Sequence, residues 1–286
     1  MKPPSFAYEA PEALDDALAL LDRHGDDAKV LAGGQSLVPL LNFRLARPAR
    51  LIDINGVPGL ASISERDGTI SIGAMTRQRT IETSPLVASR APLLAAATRW
   101  IGHPPIRTRG TIGGSLAHND PSGEYPAVLL ALDAQVRIRS QRGERVLGID
   151  AFLGEWLSTA LGPDELVIAV EIPIGSKHAT YGFAEVAKRH GDFALAGVAA
   201  RFTLDGSHIG DARIVAFGGV ARATRLTAAE DAIRGRVPNE TLFGEANRAA
   251  TAAIDPISDL HATGEYRRHL TGVLVVRALR QAFGEA

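Results

Sequence analysis

The segment Val30-Leu31-Ala32-Gly33-Gly34-Gln35-Ser36-Leu37 sets a glycine pair and a hydroxyl between two apolar runs. Gly110-Thr111-Ile112-Gly113-Gly114-Ser115-Leu116 repeats the arrangement. Paired glycines let the backbone turn through φ > 0 and leave its N–H groups uncovered by any Cβ. Successive uncovered N–H groups form a concavity for phosphate oxygens, and a serine hydroxyl adds a donor. Two such turns in one chain are expected to wall one diphosphate. The competing reading is two ordinary tight turns: the chain has 29 glycines in 286 residues, and a third pair, Gly218-Gly219, follows a later apolar run.

A chain of this length supports a large core and two packed units. Its 45% hydrophobic and 22% charged residues are globular in balance, and its net charge of −1 gives no electrostatic case for nucleic acid. The absence of cysteine removes disulfides, thiolate metal sites and any iron–sulfur cluster held by this chain alone. No apolar run is long enough to span a bilayer, so no membrane insertion is expected. Met1-Lys2-Pro3-Pro4-Ser5 carries no apolar signal core, so a cytoplasmic setting is expected.

In chain order, a helical pattern opens at Pro11 and stops at Gly25, ahead of a strand centred on Val30 and another over residues 51–54. These make a small α/β unit, residues 1–55. Asp67-Gly68 is a hairpin signal. Ser84-Pro85 starts a helix expected to run to Ile101, kinked or divided at Pro92. A short helix over 125–132 precedes alternating strands at 136–139, 146–149 and 166–172. Residues 56–176 therefore read as an antiparallel sheet with helices. The remainder, 177–286, reads as a C-terminal α+β domain: strands at 181–186, 195–204 and 209–217, then helices at 227–233, 241–254 and 262–283. The expected class is α+β, with a two-part domain 1–176 followed by the domain 177–286.

Familiar catalytic signatures are missing. Neither glycine pair leads into Gly-Lys-Ser/Thr, and no H-E-x-x-H or G-x-S-x-G occurs. Asp53 lies where a Rossmann ribose-binding acid would sit, but Gln35 breaks the G-x-G-x-x-G fingerprint. None of the eight histidines pair at metal-ligand spacing; His103 and His118 flank the second glycine segment, either as loop residues or near a cofactor. Arg44, Arg47 and Arg50 form either a solvated basic face or a neutralising group for the diphosphate.

Three stretches together resemble the FAD-binding medium subunit of molybdenum hydroxylases, the family of carbon monoxide dehydrogenase medium chains and the xanthine dehydrogenase FAD domain. They are Ala32-Gly33-Gly34-Gln35-Ser36-Leu37-Val38-Pro39, Ile106-Arg107-Thr108-Arg109-Gly110-Thr111-Ile112-Gly113-Gly114-Ser115-Leu116-Ala117-His118 and Phe183-Ala184-Glu185-Val186-Ala187-Lys188-Arg189-His190-Gly191-Asp192-Phe193-Ala194. They stand in the family's order, one in each unit, and the resemblance covers the whole chain. It implies that Val30 to Leu37 and Thr111 to Ser115 embrace the FAD diphosphate and ribityl chain. It implies apolar flavin or adenine contacts from Ile101 and Val167, and it places Asn119, Lys188, Asp192 and Phe193 on the cofactor side. Glu124 stands where relatives commonly have Asp; it either accepts from ribityl hydroxyls or caps the helix that follows. Gln35 replaces a common His, and Thr108 a common Asn. Lys188 supplies positive charge near reduced flavin or makes a surface ion pair. Phe193 either covers the isoalloxazine or begins the core of its strand.

The resemblance also implies a division of labour in which this chain does no substrate chemistry. Electrons leave a substrate at a molybdopterin cofactor in a large subunit, cross two [2Fe–2S] clusters in a small one, and reach an acceptor through FAD here. Two copies of each subunit are implied. The alternatives are a self-sufficient FAD oxidoreductase on the vanillyl-alcohol oxidase or MurB kind of fold, and a non-catalytic nucleotide-binding module.

Overall fold

The computed structural model describes residues 2–176 and 179–284. Strand β1 (Ala7–Glu9), helix α1 (Leu14–His24), β2 (Ala28–Leu31), α2 (Leu37–Asn42) and β3 (Arg50–Asp53) form the first unit. Its strands are parallel in the order β1-β3-β2. Ala17, Leu18 and Leu21 recur on one face of α1 and bury against Ile52 and Ile54. Gly25 stops α1 at φ 47°, its N–H returning to the Leu21 carbonyl.

The second unit runs through β4 (Ile63–Arg66), β5 (Thr69–Gly73), α3 (Gln78–Thr83), α4 (Pro85–Arg90), α5 (Pro92–Thr98), α6 (Pro104–Arg109), α7 (Ile112–His118) and α8 (Glu124–Ala131). It closes with β6 (Gln135–Ser140), β7 (Gly143–Gly148), α9 (Ile149–Phe152) and β8 (Leu166–Pro173). Its antiparallel sheet has the order β4-β5-β8-β6-β7. Asp67 and Gly68 both take positive φ, 49° and 74°, which makes the expected hairpin turn. Pro92 divides the expected long helix into α4 and α5, because proline lacks the N–H that a helix interior needs.

The third unit holds β9 (Ala179–Ala187), β10 (Ala194–Asp205), β11 (His208–Phe217), β12 (Thr224–Arg225), α10 (Thr227–Ile233), α11 (Glu240–Ala253) and α12 (Gly264–Phe283). The antiparallel order is β12-β11-β10-β9. The two-residue period of these strands splits their side chains between two cores. Ala184, Val198 and Ile214 pack with Leu274, Val275 and Ala278 of α12, whereas Phe183, Ala199, Val215 and Phe217 join the core of the second unit. Helix α8 is buried on every side between the two larger sheets, as a helix without a polar face must be. The seam between the units thus runs past the first turn of α8.

The observed class is α+β, as expected. Other expectations need correction. The pair Gly113–Gly114 is not a loop: it forms the first turn of α7, because Thr111 caps that helix. The first helix begins at Leu14, not Pro11. The last begins at Gly264, because Thr263 at its N-cap accepts from the Tyr266 N–H. The elements β1, α3, α6, α9 and β12 carry too few periodic residues to announce themselves. The expected division after residue 176 falls beside Lys177 and His178, which lie outside the described residues.

Strand β9 and α12 approach most closely at Gly182, where a Cβ would sit 2.1 Å from the Ala278 carbonyl oxygen. Neither backbone can retreat without breaking sheet or helix bonds. Gly182→Ala is expected to cost about 1–3 kcal/mol, an overpacking effect that equilibrium urea unfolding will read as a lower midpoint.

Candidate active site: a glycine-walled seam

Val30 and Leu31 end β2, and the chain turns at Ala32, Gly33 and Gly34 before Ser36 leads into α2. Gly34 takes φ 73°, as expected of a paired-glycine turn. The turn is held at both ends: Val38 N–H donates to the Gly34 carbonyl at 3.0 Å, and Gln35 Nε2 to the Gly33 carbonyl at 3.0 Å. Among the described residues, none accepts from the Gly34 or Gln35 amides. Ser36 stands at the N-cap of α2 without using its side chain as a cap, and Leu37 opens the helix half-buried.

The second segment is arranged differently. Thr111 Oγ1 accepts from the Gly114 N–H at 3.1 Å, Gly113 N–H donates to the Ala74 carbonyl at 2.8 Å, and Ile112 N–H to the Thr76 carbonyl at 3.2 Å. Its amides are therefore spent inside the protein, contrary to the expectation that they stay open. What its glycines provide is closeness. A Cβ on Gly113 would lie 2.5 Å from Ala74 Cβ, and one on Gly114 only 3.6 Å from Ala32 Cβ of the first turn. Ser115 is half-buried on the same turn.

The two segments meet directly. A Cβ on Gly33 would stand 2.4 Å from the Arg109 carbonyl oxygen and 2.8 Å from Gly110 Cα. Arg77 spans the same junction, donating to the Arg109 carbonyl at 2.6 Å and to Asn55 Oδ1 at 2.6 Å. Asn55 Nδ2 in turn holds the Ala32 carbonyl at 2.9 Å. Asp53, the would-be ribose acid, instead accepts from the Tyr8 hydroxyl at 2.6 Å and the Asn55 N–H at 2.9 Å. Arg50 pairs with Glu9, so it is not a free diphosphate cation.

The third stretch joins from the other side. The turn between β9 and β10 packs Gly191, at φ 89°, so closely that a Cβ would lie 2.8 Å from the Gly102 carbonyl and 2.7 Å from His103 Cε1. The rings of His190 and Trp100 are 5.2 Å apart. Ile101 sits half-buried in this joint, its carbonyl and that of Gly102 each accepting from Arg107 at 3.0 Å. Buried Arg107 is charge-paired with Glu82 at 2.9 Å. Lys188, Asp192 and Phe193 are exposed on the turn. Phe193 is 69% exposed, which overturns its reading as the first core residue of the strand. Val167 lies in the core with Ile112 and Leu116.

Asn119 ends α7 in the left-handed region, φ 46°, and its Nδ2 donates to the carbonyls of Gly154 (3.0 Å) and Ser158 (2.6 Å). Its buried Oδ1 has no partner among the described residues. Glu124 opens α8 at 8% exposure. Burial first, then the nearby Asp120 charge, push its carboxyl up to about 7, against a bond from its own backbone N–H. Glu185 on β9 is 6% exposed, with neither oxygen partnered among the described residues. Burial and then the Glu124 charge push it up to about 8.

Fold and seam together define a two-part α+β dinucleotide protein that does without the Rossmann turn. The chain belongs to the molybdopterin dehydrogenase flavoprotein family. Residues 4–175 match the FAD binding domain in molybdopterin dehydrogenase, and residues 181–282 match the CO dehydrogenase flavoprotein C-terminal domain. It is 44% identical to the 6-hydroxypseudooxynicotine dehydrogenase complex subunit alpha of Paenarthrobacter nicotinovorans, over 100% of this chain and 97% of that one. It is 41% identical to the nicotine 6-hydroxylase medium subunit of the same organism, over 99% of both. A solved carbon monoxide dehydrogenase from Hydrogenophaga pseudoflava superposes with TM-score 0.96 at 37% identity, covering 99% of each chain. The protein is thus an FAD-binding oxidoreductase subunit of the medium-chain type. Its residues fit that cofactor: the first turn has open amides, Gly33, Gly34, Gly113 and Gly114 keep the walls free of Cβ atoms, and Glu124 and Asn119 bring buried acceptors.

Sequence reasoning passed over Asn55, Arg77 and Glu185. Glu185 left one legible signal, a charge on an otherwise apolar strand, in phase with Phe183. Arg77 left none, since its partners lie far along the chain. Arg77→Met removes two charged hydrogen bonds across the junction. The expected cost is roughly 1–3 kcal/mol in urea unfolding, with reduced FAD retained after desalting.

Proposed function

We propose that this chain is the flavin-bearing subunit of a heteromeric molybdenum hydroxylase. Electrons released from a substrate at a molybdopterin centre in a large partner cross [2Fe–2S] clusters in a small partner. They pass through FAD here to an external acceptor. The observation that supports this most is the direct meeting of the first two family stretches, with the third packed on Gly102 and His103 just ahead of the second, in a chain that matches medium subunits over its full length. A chain without cysteine leaves iron–sulfur clusters to a partner. A cytoplasmic complex with two copies of each of three subunits belongs to the same reading.

Bound FAD supplies the redox chemistry, and the chain's residues hold and tune it. In this reading Val30 through Leu37 shape the diphosphate wall, with the Gly34 and Gln35 amides and the Ser36 hydroxyl as donors. Thr111, Ile112, Gly113, Gly114 and Ser115 form the opposite wall, held in place by the bonds of the Thr111 cap. Glu124 accepts from ribityl hydroxyls and Asn119 supports that corner. Ile101 contributes apolar surface, and Val167 backs the second wall from within the core. Lys188, Asp192 and exposed Phe193 cover the ring end, the cation offsetting charge gained on reduction and the aromatic limiting approach of oxidants.

Valine at Gly33 forces its Cβ into the Arg109 carbonyl, and valine at Gly114 drives into the capping hydroxyl of Thr111, 2.8 Å away. Displacing the first wall removes two charge-assisted contacts, so FAD binding to Gly33→Val is expected to weaken roughly 10²–10⁴-fold, and Gly114→Val, which pushes the second wall out of place, is expected to weaken it in the same direction. Flavin-to-protein absorbance after desalting, with circular dichroism confirming the fold, checks this. The reading itself is tested by co-expression with a cysteine-rich small subunit and a molybdopterin-binding large one from the same gene neighbourhood. One complex containing flavin, iron and molybdenum is expected; a chain that purifies apart from both overturns the assignment.

A further inference from the structure

Glu185 is the strongest anomaly outside the motifs' assigned roles. Alternation along β9 puts Ala184 and Val186 toward the α12 core, and Phe183 and Glu185 toward the second unit. Its cross-strand partner is Gly197, where a Cβ would strike the Phe217 ring at 2.2 Å. That ring stacks on Phe183 with centroids 5.9 Å apart. The carboxyl is therefore enclosed beside aromatic surface, with both oxygens unpartnered among the described residues.

Among the described residues, the elements packed on β9 bring it no cation. Helix α5 carries no charged residue. Arg201 of β10 is paired with Asp211; on the opposite face of the sheet, Arg267 of α12 is paired with Asp259 and Arg280 with Glu240. The charge that Glu185 does meet is Glu124, buried at the first residue of α8, with Asp120 behind it. Two enclosed carboxyls without a cation between them cannot both ionise cheaply. The group that faces the ribityl chain in the function proposed above is thus backed by a second acid.

We propose that Glu185 is a positioning residue of the flavin site. It acts through Glu124, holding a proton so that Glu124 is free to carry the negative charge that hydroxyl donors of FAD favour. This inference rests on the proposed placement of Glu124 at the cofactor. Binding FAD strips water from Glu124 and lowers the local dielectric, which strengthens its repulsion of an ionised Glu185. FAD binding is then coupled to proton uptake at Glu185, and affinity falls as pH rises through the range where Glu185 loses its proton. The sign follows from burial, which lifts both carboxyls above their ordinary range: to about 7 for Glu124 and about 8 for Glu185.

The test is FAD titration of the full-length apoprotein between about pH 7 and pH 9, followed by flavin fluorescence. Calorimetry in two buffers of different ionisation enthalpy measures the protons exchanged. Wild type is expected to lose about tenfold in affinity across the range and to take up protons at its alkaline end, a tenfold change corresponding to one pKa unit of coupling. Glu185→Gln, which stays neutral throughout, is expected to keep its affinity within about threefold and to take up none. The wild-type calorimetry decides the matter even if that variant fails to fold. Affinity independent of pH with no proton uptake, or an unchanged pH dependence in Glu185→Gln, overturns the inference while leaving FAD binding intact. A chain that binds no FAD at any pH overturns the proposed site and this inference together.

Discussion

Everything at the seam depends on how closely Gly33 approaches the Arg109 carbonyl and Gly110. Two backbones at that distance leave no room for a side chain on the first unit's turn, so its amides stand next to the start of α7. The first unit's parallel sheet otherwise has its own small core around Ile52 and Leu18. The guanidinium of Arg77 fastens the junction because its planar fork reaches Arg109 and Asn55 together. A lysine, a point donor on a flexible stem, has no geometry for both.

The two glycine pairs look alike in sequence and do different work. Gly34 supplies a turn, and the amides left over stay outside the fold's own bonding. Gly113 and Gly114 supply thinness: their helix turn nestles on Ala74 and lets Ala32 draw near, while every amide is already engaged. An asymmetric cleft results, with donors concentrated on one wall and shape on the other.

Local rules carried the sequence reading wherever local chemistry governs. Asp67-Gly68 fixes its own turn, Pro92 cuts its own helix, and Gly25 ends α1 without outside help. The first two motif stretches were likewise visible as glycine punctuation, and the third through the family resemblance. The Thr111 cap was legible in principle, since a hydroxyl three residues before Gly114 is a helix-start pattern, but the glycine pair drew the reading toward a loop. Contacts made at long range were not legible. Arg77, Asn55 and Arg109 converge only after the first two units dock. The enclosure of Glu185 requires the second unit to settle against the β9–β10 sheet, and the exposure of Phe193 depends on where the Gly191 turn lodges against His103. Periodicity says which face a residue takes; it does not say what will cover that face.

The close fit of Gly182 beneath Ala278 bears on the order in which this protein is made. Strand β9 has one face sealed by α12, the final described helix, and the other by the second unit. During synthesis β9 emerges well before its cover, so an extended, mostly apolar strand waits through the making of α10 and α11. Its pairing with β10 is a local hairpin, but its packing on α12 joins residues far apart in the chain, as in the bond from Phe183 N–H to Gln281 Oε1, which makes that closure a late, slow event in folding. Until α12 arrives, the apolar face of that sheet is open to a neighbouring nascent chain.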